Sequence, residues 1–181
     1  MNNLQKYYKE SVVPTMVKEF GYQNIHQAPS IKKVVINVGL GANLKGKEYL
    51  DAVKKDIEMI CGQKPVETLS KKSISNFKIR EGMVIGLKVT LRSHKMWDFL
   101  EKLVKVTLPR VRDFRGISDK GFDGNGNYSL GFNEHVAFPE IAADEMDFLH
   151  GLELAITIDS SSREASKSLL TKLGFPFKKE E

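Results

Sequence analysis

The chain has 181 residues, within the usual size of one domain and long enough to bury roughly 70% of the surface that its unfolded form exposes without a disulfide or structural metal. Its single cysteine, Cys61, excludes an intrachain disulfide, a Cys-rich zinc module and a secreted disulfide framework, and favours a reducing compartment. Twenty-eight Lys and Arg against 23 Asp and Glu give a net charge of only +5, which is compatible with a nucleic-acid partner and leaves the argument to where the charges sit.

Met1 to Glu10 carries charges of both signs and lacks the apolar stretch of a signal peptide, and no run approaches the ~18 apolar residues that cross a bilayer. A soluble, unprocessed chain with no membrane partner is the expectation. Leu4, Tyr8, Val12, Met16 and Phe20 recur at helical spacing, which predicts an opening amphipathic helix kinked at Pro14 and ended by Gly21. From Ile31 to Val38, Val34, Ile36 and Val38 alternate with Lys33, Val35 and Asn37, the pattern of a strand with one buried face. After the turn at Gly39 to Gly41, a second helix places Leu50, Val53, Ile57 and Ile60 on one stripe and stops at Gly62.

Val66 to Ser70 reads as a short strand. Lys71 to Gly82 shows no period and reads as a long loop. Met83 to Arg92 is the clearest strand: Met83, Ile85, Leu87, Val89 and Leu91 face one way, and Val84, Gly86, Lys88, Thr90 and Arg92 the other. A third helix, from about Lys95 to Leu108, turns Met96, Leu100, Leu103, Val104 and Thr107 inward and stops at Pro109. Leu152, Leu154, Ile156 and Ile158 alternate in a late strand. Ser161 and Glu164 have capping-box spacing for a last helix bearing Ala165, Leu169 and Leu173, closed by Gly174 and Pro176. No repeat or linker divides this pattern. It predicts one α+β domain over residues 1–181, a mostly antiparallel curved sheet with helices packed on one face and a long basic loop.

Lys88, Thr90 and Arg92 stand about 6.6 Å apart along one strand face, a pitch at which cations can follow a phosphate backbone. Lys33 and Asn37 lie on the same sheet surface, which favours an RNA platform over an ordinary solvated face. Glu153 and Asp159 on the late strand limit it to part of the sheet. Lys71, Lys72, Lys78 and Arg80 share an acid-free stretch with Ser73, Ser75, Asn76 and Phe77, where cations can neutralise phosphate while the ring stacks on a base. Such long loops tend to be functional. Arg110, Arg112 and Arg115 form a second basic cluster, tempered by Asp113, suited to RNA or to an acidic protein surface.

Gly41 to Lys47 has the GxxxxGK spacing of a phosphate loop between a strand and a helix, which keeps a nucleotide-binding protein as the alternative reading. Glu48 stands where a hydroxyl should hold magnesium and would repel the phosphates, so this reading is weak. Asp123, Asn125, Asn127 and Glu134 match positions of a calcium loop, but Tyr128 occupies the position that requires glycine, and a Gly-Asn-rich turn is expected instead. His26, His94, His135 and His150 are far apart and lack ligand spacing, and no nucleophile sits in a catalytic motif. No metal, cofactor or enzymatic activity is expected.

Read together, Leu4-Gln-Lys-Tyr-Tyr8, Val34-Val-Ile-Asn-Val-Gly-Leu-Gly41, Gly62-Gln-Lys-Pro65, Lys71-Lys-Ser73, Asn76-Phe-Lys-Ile-Arg80 and Gly86-Leu-Lys-Val-Thr-Leu-Arg92 resemble the bacterial-type large ribosomal subunit protein five, a 5S rRNA-binding family. The likeness continues through Met96-Trp-Asp-Phe-Leu100, Leu108-Pro-Arg-Val-Arg-Asp-Phe-Arg-Gly116, Phe122-Asp-Gly-Asn-Gly-Asn-Tyr-Ser129 and Gly174-Phe-Pro-Phe177. The resemblance implies a non-enzymatic constituent of the large subunit, in a bacterial cytoplasmic or an organellar ribosome, that helps attach 5S rRNA in the central protuberance. It implies that Asn37, Gln63, Lys64, Lys88, Thr90 and Arg92 meet 5S rRNA, to which the strand pattern adds Lys33, beside large-subunit rRNA and other 5S rRNA-binding ribosomal proteins. It further implies that the loop with Lys71, Lys72, Ser73, Asn76, Phe77, Lys78 and Arg80 reaches peptidyl-site tRNA, and that Arg110, Arg112 and Arg115 meet a protein of the small-subunit head. Ser93-His94 departs from the glycine expected after the arginine, which bears on the local turn.

Overall fold

A computed structural model of the chain describes residues 3–41, 46–141 and 148–178. The fold is α+β, with a five-stranded, mostly antiparallel sheet in the order β2-β3-β1-β5-β4. The strands are β1 (Ser30–Gly39), β2 (Val66–Leu69), β3 (Val84–Leu91), β4 (Tyr128–Phe132) and β5 (Leu152–Asp159). Of these, β4 is not among the strands expected: Tyr128, Leu130 and Phe132 alternate with Ser129 and Gly131 over only five residues, directly after a Gly-Asn-rich turn. The helices are α1 (Asn3–Tyr7), α2 (Val13–Phe20), α3 (Lys47–Cys61), α4 (Ser93–Lys102), α5 (Leu108–Arg110) and α6 (Arg163–Lys172). Among the described residues no helix is long and apolar enough to cross a membrane.

Both prolines sit inside helical segments, and Pro109 does not stop its helix as expected. Pro14 and Pro109 each follow a single widened turn, Tyr8–Val12 and Leu103–Thr107, in which the N–H of the residue just before the proline bonds five residues back: Val13 to the Tyr8 carbonyl, Leu108 to that of Leu103. A proline has no N–H to give and its ring crowds the preceding turn, and a π turn makes room for both effects. The helix therefore runs through Pro109 and ends only at Arg110, where Val111 turns extended.

Other corrections are local. Tyr49 takes the buried position of α3 expected of Leu50, which is half-exposed. The cap of α6 is Ser162, whose hydroxyl accepts from Ala165 N–H at 3.2 Å, so Ser161 and Glu164 do not form the capping box. Gly21 and Gly62 close their helices with φ of +64° and +61°, the left-handed form that glycine adopts without a Cβ penalty.

The chain forms two compact units. The first comprises residues 1–35, 91–130 and 154–181. Its core gathers Met16, Val34, Leu100, Leu103, Tyr128, Ile156 and Leu169, each almost wholly withdrawn from water. The second comprises residues 36–90 and 131–153. Ile36, Val38, Val53, Ile57, Leu87, Val89 and Phe138 are its interior. Burying each such side chain contributes ~1.5–3 kcal/mol, which fixes strand register: a slip by one residue would turn the apolar set outward.

Candidate nucleic-acid interface

In the second unit, β2 pairs antiparallel with β3, setting Val66 opposite Lys88, Glu67 opposite Leu87 and Thr68 opposite Gly86. Side chains of directly opposed residues share a face. Leu87 and Glu67 therefore lie on the same side, and there Glu67 receives Lys54 of α3 at 2.6 Å. That ion pair identifies the Leu87 side as the one that α3 covers. The opposite side presents Val66, Lys88 and, on β1, Asn37, all exposed, with Thr90 half-exposed.

Gly86 lies on this open face yet is buried, because a Cβ there would stand 2.8 Å from the Val38 carbonyl oxygen and 2.9 Å from Thr68 Oγ1. Only glycine lets β1 and β2 approach β3 this closely. The turn after α3 is tied to the same strand, since Gln63 Nε2 donates to the Thr90 carbonyl at 3.3 Å and leaves the neighbouring Lys64 exposed. Asn37, Gln63, Lys64, Lys88 and Thr90 thus fall in one unit. Lys33, half-buried on β1, and Arg92, exposed just past β3, belong to the other.

Beyond β2 and β3 the chain from Lys71 to Gly82 is not the structureless loop expected. Ile74 and Ile79 pair as an antiparallel bridge, with N–H to carbonyl distances of 2.9 and 3.1 Å in the two directions. Glu81 N–H donates to Ser73 Oγ at 2.9 Å, and Gly82 N–H to the Ser70 carbonyl at 3.0 Å. Lys78 closes the turn at φ +55°. The segment is a short hairpin extending the β2–β3 pair, and a single bridging pair is too short to leave a period in the sequence. Lys71, Lys72, Ser73, Asn76, Phe77, Lys78 and Arg80 are all exposed, and Phe77 keeps 68% of its surface in water.

Several lysines elsewhere are spent on carboxylates. Lys32 holds Asp159 at 3.0 Å, Lys54 holds Glu67, Lys167 holds Asp119 at 3.2 Å and Lys172 holds Glu19 at 2.6 Å. In contrast, among the described residues Lys33, Lys64, Lys71, Lys72, Lys78, Arg80, Lys88 and Arg92 make no ion pair. Arg110, Arg112 and Arg115, exposed around α5, are likewise unpaired among those residues. Asp159, an obstacle to RNA when only the sequence is considered, is neutralised by Lys32. Exposed apolar side chains accompany the free cations, with Val66 at 63%, Leu69 at 55% and Ile74 at 44%. Free cations beside exposed apolar and aromatic groups can neutralise phosphate and contact unstacked bases.

The other motifs resolve differently. Residues 42–45, the middle of the GxxxxGK spacing, lie outside the described residues; Lys47 and Glu48 open α3 and are exposed. In the calcium-like stretch the Asp123 carboxylate accepts from Asn125 N–H, Asn127 N–H and Asn127 Nδ2 at 2.9, 2.8 and 2.8 Å. The Asn127 side chain foremost, and the backbone donors after it, hold this carboxyl below its usual range. Asn127 Oδ1 accepts from Ile158 N–H at 3.1 Å, so the segment is an Asx turn docked on β5. Two of the histidines, far apart in sequence, come together: His135 and His150 stack face to face, with ring centroids 4.0 Å apart, beside Asp56.

Ser93, where the family resemblance implies glycine, adopts φ +50°. The turn keeps the left-handed form, with a serine in it.

Residues 24–80 match the family described as ribosomal protein L5, and residues 84–177 match the model for the C-terminus of the same ribosomal family. A large ribosomal subunit protein uL5 of Symbiobacterium thermophilum is 52% identical over 177 residues, covering 98% of each chain. That of Halothermothrix orenii is 51% identical over 98% of this chain and 99% of its own. That of Idiomarina loihiensis is 46% identical over 179 residues, 99% of this chain and 100% of its own.

Proposed function

The chain belongs to the ribosomal protein L5 family of the large ribosomal subunit, a structural and not an enzymatic constituent, and on that basis we propose that it binds 5S rRNA through the open face of its sheet. The observation that carries this reading is the open face itself, where the exposed Lys64 and Lys88 stand with Asn37 and Thr90 and make no ion pair among the described residues. An exposed lysine without a carboxylate partner keeps its charge for phosphate, and its neutralisation releases condensed counterions, the main source of affinity for nucleic acid. Asn37, Gln63, Lys64, Lys88 and Thr90 form the centre of the proposed surface, and Lys33 and Arg92 are proposed to act with them. In the central protuberance the protein would join 5S rRNA to large-subunit rRNA beside other 5S rRNA-binding proteins.

The hairpin with Lys71, Lys72, Ser73, Asn76, Phe77, Lys78 and Arg80 is the proposed contact to peptidyl-site tRNA, supported by its extension past β2 and β3 and by the exposed Phe77 ring among free cations. Arg110, Arg112 and Arg115 are proposed to meet an acidic surface of a small-subunit head protein. Titration of the full-length protein with 5S rRNA at several salt concentrations tests the primary site. Replacing Lys88 and Arg92 together by alanine should weaken binding and lower the salt slope by roughly 0.7 to 0.9 for each phosphate no longer neutralised. An unchanged affinity and slope would remove β3 from the interface. Saturable, magnesium-dependent ATP or GTP binding that Lys47→Ala abolishes would instead revive a nucleotide site at Gly41 to Lys47.

A further inference from the structure

Asp56, in the second half of α3, His135, at the head of the 3-10 turn His135–Ala137, and His150, just before β5, converge within the second unit. The two rings are parallel to within 1°, and both are nearly sealed from water, with His135 1% and His150 5% exposed. Asp56 Oδ2 lies 3.4 Å from His150 Nε2 and 3.8 Å from His135 Nε2. One ligand atom from each of the three residues falls within 4.8 Å of the others.

The other ring nitrogens face the backbone. His135 Nδ1 is 3.3 Å from the His150 carbonyl oxygen, and His150 Nδ1 is 3.5 Å from that of Gly151. A carbonyl only accepts, so these contacts favour a proton on each Nδ1. His135 has a second option, because His150 N–H lies 3.4 Å from its Nδ1 and can donate to it. His150 has none, and with Nδ1 protonated its Nε2 carries a lone pair that faces a carboxylate oxygen. That Nε2 is buried and has no hydrogen-bond partner among the described residues. An imidazole whose Nδ1 leans on a carbonyl while Nε2 stays free is the arrangement by which proteins orient a metal-binding histidine.

What the cluster lacks is an acceptor of electron pairs. A proton would satisfy only one of the Nε2 atoms and would place an imidazolium against a second ring in a buried site. A divalent cation satisfies both nitrogens and the carboxylate together. We propose that Asp56, His135 and His150 form a transition-metal site, with Zn²⁺ its best occupant, pinning α3 to the two later segments that carry the histidines. Two imidazoles and a carboxylate suit zinc, which takes nitrogen and oxygen donors at about 2.0–2.2 Å with water as a fourth ligand. To bind it, the rings must swing from their stack so that the donors close to about 3.4 Å, the edge of a zinc tetrahedron. The buried Cys61 and the exposed His26 and His94 are not part of the cluster.

The test uses the full-length protein stripped with a chelator and titrated separately with Zn²⁺ and Co²⁺. One equivalent should bind, Co²⁺ should give the visible absorption of a low-coordinate nitrogen and oxygen site, and Zn²⁺ near 100 times its Kd should raise Tm by roughly 5–10 °C. His150→Gln and Asp56→Asn, verified as folded by circular dichroism, should each abolish these responses, while the His26→Ala/His94→Ala double variant should keep them. Absence of a one-to-one endpoint overturns the proposal. So do responses that survive in either cluster variant, or that vanish in the double variant, since each would put the metal elsewhere. Should both cluster variants fail to fold, the wild-type Co²⁺ spectrum together with the double variant decides between the same outcomes.

Discussion

Lys88 stands between Leu87 and Val89, which are 0% and 1% exposed, whereas Lys78 stands between Phe77, at 68%, and the half-buried Ile79. Both lysines are free cations of one compact unit, and what holds them differs. To move Lys88, its neighbours would have to leave the core, at a cost of ~1.5–3 kcal/mol for each side chain. Lys78 is held by the Ile74–Ile79 bridge and the Ser73 hydrogen bond to Glu81, interactions worth about 1 kcal/mol apiece in water. A sheet face so fixed can present charges at a set pitch to a rigid RNA surface. A hairpin so lightly held can adjust to a partner that moves, as the proposed tRNA partner would, at little energetic cost.

Leu87→Ala against Phe77→Ala should break the two regions apart most clearly. The first should cost about 2–5 kcal/mol in chemical denaturation, because it leaves a cavity under the strand. The second should change stability by no more than about 0.5 kcal/mol. A comparable destabilisation by both would make the hairpin part of the core. Gly86→Ala sharpens the comparison without altering any charge: its Cβ would meet the Val38 carbonyl at 2.8 Å, so a destabilisation of about 1–3 kcal/mol in melting experiments is expected. A value well below that range would mean that β1 and β2 separate from β3 at little cost and that the face is less rigid than its burial implies.

At the far end of β3, Ser93→Gly should stabilise by about 0.5–1 kcal/mol. Relief from φ +50° outweighs the entropy that glycine loses on folding. A lower melting temperature would show that the serine side chain contributes more than the backbone strain removes. The smallest effect is expected when Lys71 to Gly82 is replaced by a brief Gly-Ser connection. Affinity for 5S rRNA should stay within about 0.5 kcal/mol, roughly twofold, while tRNA retention in the peptidyl site of assembled ribosomes weakens. A folded variant that no longer binds 5S rRNA would place the hairpin in the primary site and dissolve the division between the two regions.

Sequence alone determined the alternating faces of β1, β3 and β5 and the glycine stops at Gly21, Gly62 and Gly174, since these rest on local periodicity and on backbone angles that only glycine takes easily. It also exposed the free cations as candidates, Lys88 among them, but not that Lys54, in another amphipathic element, is spent on a carboxylate. Only the pairing of β2 with β3, which sets Glu67 on the Leu87 side within reach of α3, neutralised one and left the other free. Pro109 departs from expectation for a related reason: the rule that proline stops a helix describes a regular one, and here a wider turn precedes it. The meeting of Asp56, His135 and His150 was wholly a matter of tertiary structure. No short-range spacing links a residue of α3 to one after β4 and another before β5, and only the fold brings their nitrogens and carboxylate together.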